Sequence, residues 1–228
     1  MYGKTDGTAV ELADVALGNG GYQIVGAGVL DQSSAAIAGG GDVNGDGIGD
    51  FLVSASQGND PVTGLQTGIV HVIFGSDGDL SGVDLNDINA GDGGFAISGA
   101  EQGDAIGFDI DIAGDVNGDG FDDIILAAAA DFSGRDGSFY LIFGGETLTT
   151  IDLSELEGES DRGFEILLND DAERPVARTV SAAGDLNGDG FDDLLLGTTL
   201  QLSCGELRDT IGLVGVGAAV VRASPHLV

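Results

Sequence analysis

The chain has 228 residues, 42% of them hydrophobic, which is enough for a sizeable core, and its 42 glycines lack the three-residue period of collagen. Thirty-nine acidic residues against seven basic ones give a net charge of −32, which argues against nucleic acid or an anionic membrane surface as partner. A lone cysteine, Cys204, forms no intrachain disulfide, no Cys/His cluster suggests zinc, and the longest apolar run, 211–221, is too short for membrane insertion.

From its first residues the chain repeats itself. Tyr2-Gly3, Phe74-Gly75 and Phe143-Gly144 stand at matching places, followed by Val10-Glu11-Leu12, Val83-Asp84-Leu85 and Ile151-Asp152-Leu153. Gly21-Tyr22, Gly94-Phe95 and Gly163-Phe164 come next. An Asp/Asn/Gly loop then opens at Asp42, Asp115 and Asp185, so successive loops lie 73 and 70 residues apart. The expected units are 1–20, the end of a preceding blade, then 21–93, 94–162 and a partial 163–199, with 200–228 an anomalous tail. No charged-then-apolar signal peptide opens the chain, whose first residues read as the middle of a repeat; the chain is therefore expected to be a fragment.

Within the second unit, turn-bounded apolar runs predict strands over 95–98, 108–112, 123–128, 138–143 and 150–153, and no segment sustains a 3.6-residue period. An all-β unit of this length, repeated, predicts β-propeller blades, because solenoid coils have shorter repeats. About three blades are fewer than the roughly four to eight that close a propeller, so further blades of the same or another chain are expected to complete it. Beyond Thr199 the strand equivalent to 68–75 is missing from the pattern. The segment 200–228 has no Phe-Gly, carries Arg208, Arg222, His226 and Cys204, and reads as a truncated or frame-altered remnant.

The three loops carry the chemistry. The first offers side-chain oxygens from Asp42, Asn44, Asp46 and Asp50 and the backbone carbonyl of Ile48; the second offers Asp115, Asn117, Asp119, Asp123 and the carbonyl of Phe121; the third offers Asp185, Asn187, Asp189, Asp193 and the carbonyl of Phe191. Oxygen donors at positions 1, 3, 5, 7 and 9 suit a hard cation such as Ca²⁺, giving about three sites, and Gly47, Gly120 and Gly190 supply the φ > 0 of the sharp turn. An EF-hand would need Glu at position 12 and an exiting helix. Val53, Leu126 and Leu196 stand there, inside short apolar runs suited to buried strands, and the wide spacing argues against the paired loops of a dockerin.

The Asp-x-Asn-x-Asp-Gly-x-x-Asp loop followed by an apolar strand, once per unit, resembles the FG-GAP repeats of the integrin alpha-chain β-propeller and its bacterial relatives. That resemblance implies seven-bladed propellers, calcium held on one rim, an extracellular or cell-surface location, and adhesion or the binding of a protein or glycan ligand on a propeller face. It extends also to accessory propellers of secreted enzymes such as a phospholipase. The pattern departs from the family in two places. Phe-Gly has only an inverted echo in Gly107-Phe108, with Ala35 and Arg178 at the equivalent of Phe108. Gly-Ala-Pro is replaced by Ser54-Ala55-Ser56, Ala127-Ala128-Ala129 and Gly197-Thr198-Thr199.

Catalysis is not expected. His71 occupies the repeat position of Tyr140 and reads as a strand-packing residue, and no Ser-centred nucleophile elbow is present. In Asp122-Asp123 and Asp192-Asp193 one acid is the ninth loop position and the other reads as a solvated or supporting acid. Arg174 and Arg178 read as members of surface ion pairs. The expected function is a calcium-binding propeller segment whose cation is structural; a calcium sensor is the weaker reading.

Overall fold

The computed structural model describes residues 7, 9–77, 82–129, 137–156, 161–167, 174–201 and 207–214. Tyr2-Gly3, Cys204, Arg222 and His226 lie outside them. Along the chain the described strands are β1 (Ile24–Val25), β2 (Ser33–Gly41), β3 (Asp50–Ala55), β4 (Ile69–Ile73), β5 (Val83–Asp84), β6 (Gly94–Ser98), β7 (Ile106–Gly114), β8 (Asp123–Ala128), β9 (Ser138–Ile142), β10 (Ile151–Asp152), β11 (Gly163–Leu167), β12 (Arg174–Gly184), β13 (Asp193–Gln201) and β14 (Leu207–Val214). The chain is all-β, built of propeller-type blades, and among the described residues no sheet closes on itself.

Each blade grows from one loop. The loop joins a long strand to the apolar strand that follows it, and the two pair antiparallel: β2 with β3, β7 with β8, β12 with β13. The next strand of the unit adds outside, giving the sheets β10-β6-β4-β3-β2, β11-β9-β8-β7 and β12-β13-β14. Sheet and sequence repeat are out of phase by one strand. Gly94–Ser98, which opens the unit 94–162, hydrogen-bonds to β4 as an outer strand of the first sheet, and Gly163–Leu167 does the same for β9. In the third sheet, Leu207–Val214 pairs with β13 from Leu194↔Val214 to Gln201↔Leu207. The strand absent from the Phe-Gly pattern therefore comes from the segment assigned to an anomalous tail; backbone pairing needs no Phe-Gly. Residues 202–206 and 215–228 lie outside the described set.

The central strands are buried on both faces, which is why their sequences run apolar without alternation. In β8, Ile124, Leu126 and Ala128 turn to a core shared with Val43, Leu52, Val70 and Val72 of the first blade. Ile125 and Ala127 turn the other way, to Ala177, Val180, Leu194 and Leu196 of the third. One six-residue strand thus serves two inter-blade cores, and burying each Ile or Leu contributes about 1.5–3 kcal/mol.

Where a strand was expected over 150–153, only Ile151–Asp152 is extended, and a short 3-10 helix, Leu153–Leu156, follows. The same happens earlier, where β5 gives way to a short helix, Leu85–Asn89, and Leu12–Val15 forms another helical turn. At the turns that follow β5 and β10 the cause is the acid before the turn. Asp84 Oδ1 accepts the Asn86 N–H at 2.9 Å and Asp152 Oδ1 accepts the Ser154 N–H at 2.9 Å, capping a helical turn where a strand would continue. Leu85 and Ile88, and Leu153 and Leu156, then bury at a spacing of one turn.

Candidate metal centre

All fifteen donor residues lie in three loops of one geometry. In the first, Asp42 Oδ1 accepts the Asp46 N–H at 3.0 Å and Oδ2 accepts the Gly47 N–H at 2.8 Å; Asn44 Oδ1 also accepts from Asp46 N, and Asp46 Oδ1 accepts the Ile48 N–H at 2.8 Å. The second loop repeats this through Asp115, Asn117, Asp119 and Phe121, and the third through Asp185, Asn187, Asp189 and Phe191. Gly47, Gly120 and Gly190 have φ of 87°, 93° and 92°, where a side chain would be strained. The N–H groups of Ile48, Phe121 and Phe191 are tied inward.

The ninth-position acid anchors the loop to its sheet. Asp50 Oδ2 accepts the Val43 N–H at 2.8 Å and Oδ1 the Gly75 N–H at 2.7 Å; Asp123 takes the Val116 and Gly144 N–H groups at 3.0 and 2.9 Å; Asp193 takes the Leu186 N–H at 2.9 Å. The Gly of each Phe-Gly pair is thereby recruited to the loop. Burial raises the pKa of Asp50 against these N–H bonds, with the Asp46 charge adding to the rise. Burial likewise pushes Asp123 up to about 7, opposed by the Gly144 and Val116 N–H groups and reinforced by Asp119 and Asp115. Asp185, fully exposed, is lowered by the N–H groups of Gly190, Gly188 and Asp189.

Among the described residues no three carboxylate, His or Cys side chains are gathered into one cluster. The donor chemistry nonetheless fits a hard divalent ion, for each loop presents three carboxylates and an amide oxygen within nine residues, and in the first two loops burial raises the ninth acid, with the charges of its neighbouring carboxylates adding to the rise.

What sequence reading missed is the inter-blade role of the side chains at positions 7 and 8. Asp122 Oδ2 accepts the Asp42 N–H of the preceding loop at 2.7 Å, and its own N–H returns to Asp42 O at 3.2 Å. Asp192 makes the same pair of bonds to Asp115, at 3.0 and 3.1 Å. These half-buried acids latch one blade to the next. Phe121 and Phe191 lie against Gly45 and Gly118 of the preceding loops, so closely that neither glycine has room for a Cβ. The available signal was the contrast between Ile48-Gly49 in the first copy and Phe-Asp in the other two.

The remaining candidates have other duties. His71 is fully buried in β4, with Nε2 3.0 Å from Asn89 Oδ1. Arg178 sets its guanidinium 5.1 Å from the centre of the Phe108 ring, so two residues at equivalent repeat positions meet across a blade junction. Asp109 and Asp111 of β7 extend that junction, accepting the Val180 and Ala182 N–H groups of β12 at 2.9 Å each.

Compared with known families, the chain matches the model of the FG-GAP repeat at residues 34–73, 112–142 and 177–203, each match covering one loop and strand of its blade. No curated protein matches it.

Proposed function

Because this chain is an FG-GAP repeat protein carrying three copies of that repeat, we propose that it is a calcium-stabilised propeller segment acting outside the cell in adhesion or ligand binding. FG-GAP repeats often occur in extracellular adhesion and ligand-binding proteins, and among the described residues no helix is long and apolar enough to cross a membrane. The observation that carries the reading is the threefold donor set, with Asp42, Asp115 and Asp185 each holding two or three backbone N–H groups so that loop shape is fixed around the oxygens. When bound, a divalent cation supplies the positive charge that these carboxylates lack. The role of the ion is rigidity, and the loops on that rim present the binding surface to a protein or glycan. We read the chain as a binding unit without catalysis: His71 is sealed in a sheet and the paired acids Asp122 and Asp192 are engaged as latches.

Extracellular sites of this kind bind calcium with Kd of about 10⁻⁴–10⁻³ M, so millimolar calcium contributes about 1–2 kcal/mol per site. Isothermal titration should count about three sites, calcium should raise the melting temperature, and Asp119→Ala should remove one site while leaving two. A melting curve that chelator leaves unmoved, with no heat of calcium binding, would overturn the reading. A sensor would instead change its circular dichroism spectrum on binding without gaining stability.

A further inference from the structure

The two blade junctions inside the chain are built alike, and the third loop shows the same surface with none of the described residues on it. At position 2, Val43 and Val116 are 0% exposed, whereas Leu186 is 57% exposed. At position 4, Gly45 and Gly118 are covered by Phe121 and Phe191, whereas no described residue lies within 4 Å of a Cβ placed on Gly188. At position 1, the Asp42 and Asp115 N–H groups are met by Asp122 and Asp192, whereas the Asp185 N–H meets no acceptor among the described residues. An apolar side chain, a glycine gap and an open donor recur in the spacing that elsewhere receives a Phe-Asp pair.

The opposite face of the array does not carry the matching plug. Its loop has Ile48-Gly49 at positions 7 and 8, so no carboxylate can reach a preceding loop. It does keep the apolar part of the contact: Ile37 of β2 is 71% exposed, while its repeat equivalents Ile110 and Val180 are 4% and 5% exposed. We propose that the outward face of the third loop is a socket for one further FG-GAP loop bearing an aromatic residue and Asp at positions 7 and 8, and that a second copy of this chain does not fill it. Blade order is set by this pair of residues, with Leu186, Gly188 and the Asp185 N–H as its receptor.

Installing the missing plug tests this. A Cβ at Gly49 would meet only the Gly40 backbone, at 3.6 Å, so Asp fits there without strain. The full chain carrying Ile48→Phe and Gly49→Asp has plug and socket on opposite faces and should associate head to tail. Sedimentation velocity over a concentration series should show wild type as a monomer and the double variant associating about tenfold or more tightly. Leu186→Glu in the same background should reverse the association. Circular dichroism checks folding, and Gly49→Asp alone, which carries the carboxylate, serves if the double variant does not fold. Runs in calcium and in chelator are both read, and association in either supports the socket, which is independent of the cation reading. A double variant that associates no more tightly than wild type overturns the proposal. So does a wild type that associates equally well, or an association indifferent to Leu186→Glu.

Discussion

His71 shows what burial does to a single side chain in this protein. Burial lowers its pKa below the ordinary 6.5, against hydrogen bonds to Asn89 and the Val53 backbone and the charge of Asp31, which favour the protonated ring. The Nε2 of the neutral ring is paired with Asn89 Oδ1 at 3.0 Å. Below pH 6.5 the unfolded chain takes up a proton that the folded chain refuses, so the stability tied to His71 is whole above that pH and is lost as pH falls toward the folded pKa. His71→Gln keeps a donor for Asn89 and removes the titration. Calorimetric melts from pH 7.5 to 5.5 should therefore show wild type losing stability relative to His71→Gln; parallel curves would refute the assignment. His71 was legible as a packing residue from its alignment with Tyr140, and the donor residues were legible from their alternation. The latch at Asp122 and Asp192 was not, because its partners lie 80 and 77 residues away and only folding brings them together.

At the scale of the element, the link between loop and sheet runs through a glycine. Gly144 gives its N–H to Asp123 Oδ1 at 2.9 Å, and a Cβ there would press on the Asp122 and Val43 carbonyl oxygens and on Phe121 Cβ. Its neighbour Gly145 gives its N–H to Val43 O at 2.9 Å. The Phe-Gly pair was visible in the sequence as a repeat landmark, yet its reason was not: the glycine permits the end of one strand to touch two loops at once. Gly144→Ala forces backbone apart, which no rotamer change can relieve, and should cost about 1–3 kcal/mol. A denaturation midpoint equal to that of wild type would show that the contact is not needed. The strand ends at Asp84 and Asp152 were also hidden. Apolar–acid–Leu spells a strand by alternation, and only the capping bond from the acid to the N–H two residues on reveals a helical turn.

For the whole molecule, stability is carried by neighbouring pairs of blades, as in other repeat arrays. The first core joins blades one and two and the second joins blades two and three, with β8 contributing to both. Blade number and all-β class were readable because each blade restates one loop and one apolar strand. The phase of the sheets was not, since it depends on which strand Gly94–Ser98 pairs with. The latches sit one at each junction, so they can be cut separately. Asp122→Ala leaves the half-buried Asp42 N–H without its acceptor and should cost about 1–3 kcal/mol, and Asp192→Ala should do the same at Asp115. Asn retains a side-chain carbonyl oxygen, so Asp122→Asn should recover part of the loss. The distribution of the damage distinguishes a latch from a general loss of charge. Hydrogen exchange should quicken in β12 and β13 for Asp192→Ala, where the third blade has one neighbour to lose, while β2 to β4 stay protected. For Asp122→Ala the quickening should fall on β2 to β4 and spare β12 and β13. Equal exchange across all three blades in either variant would mean that the molecule opens as one unit and that these carboxylates do not define its joints.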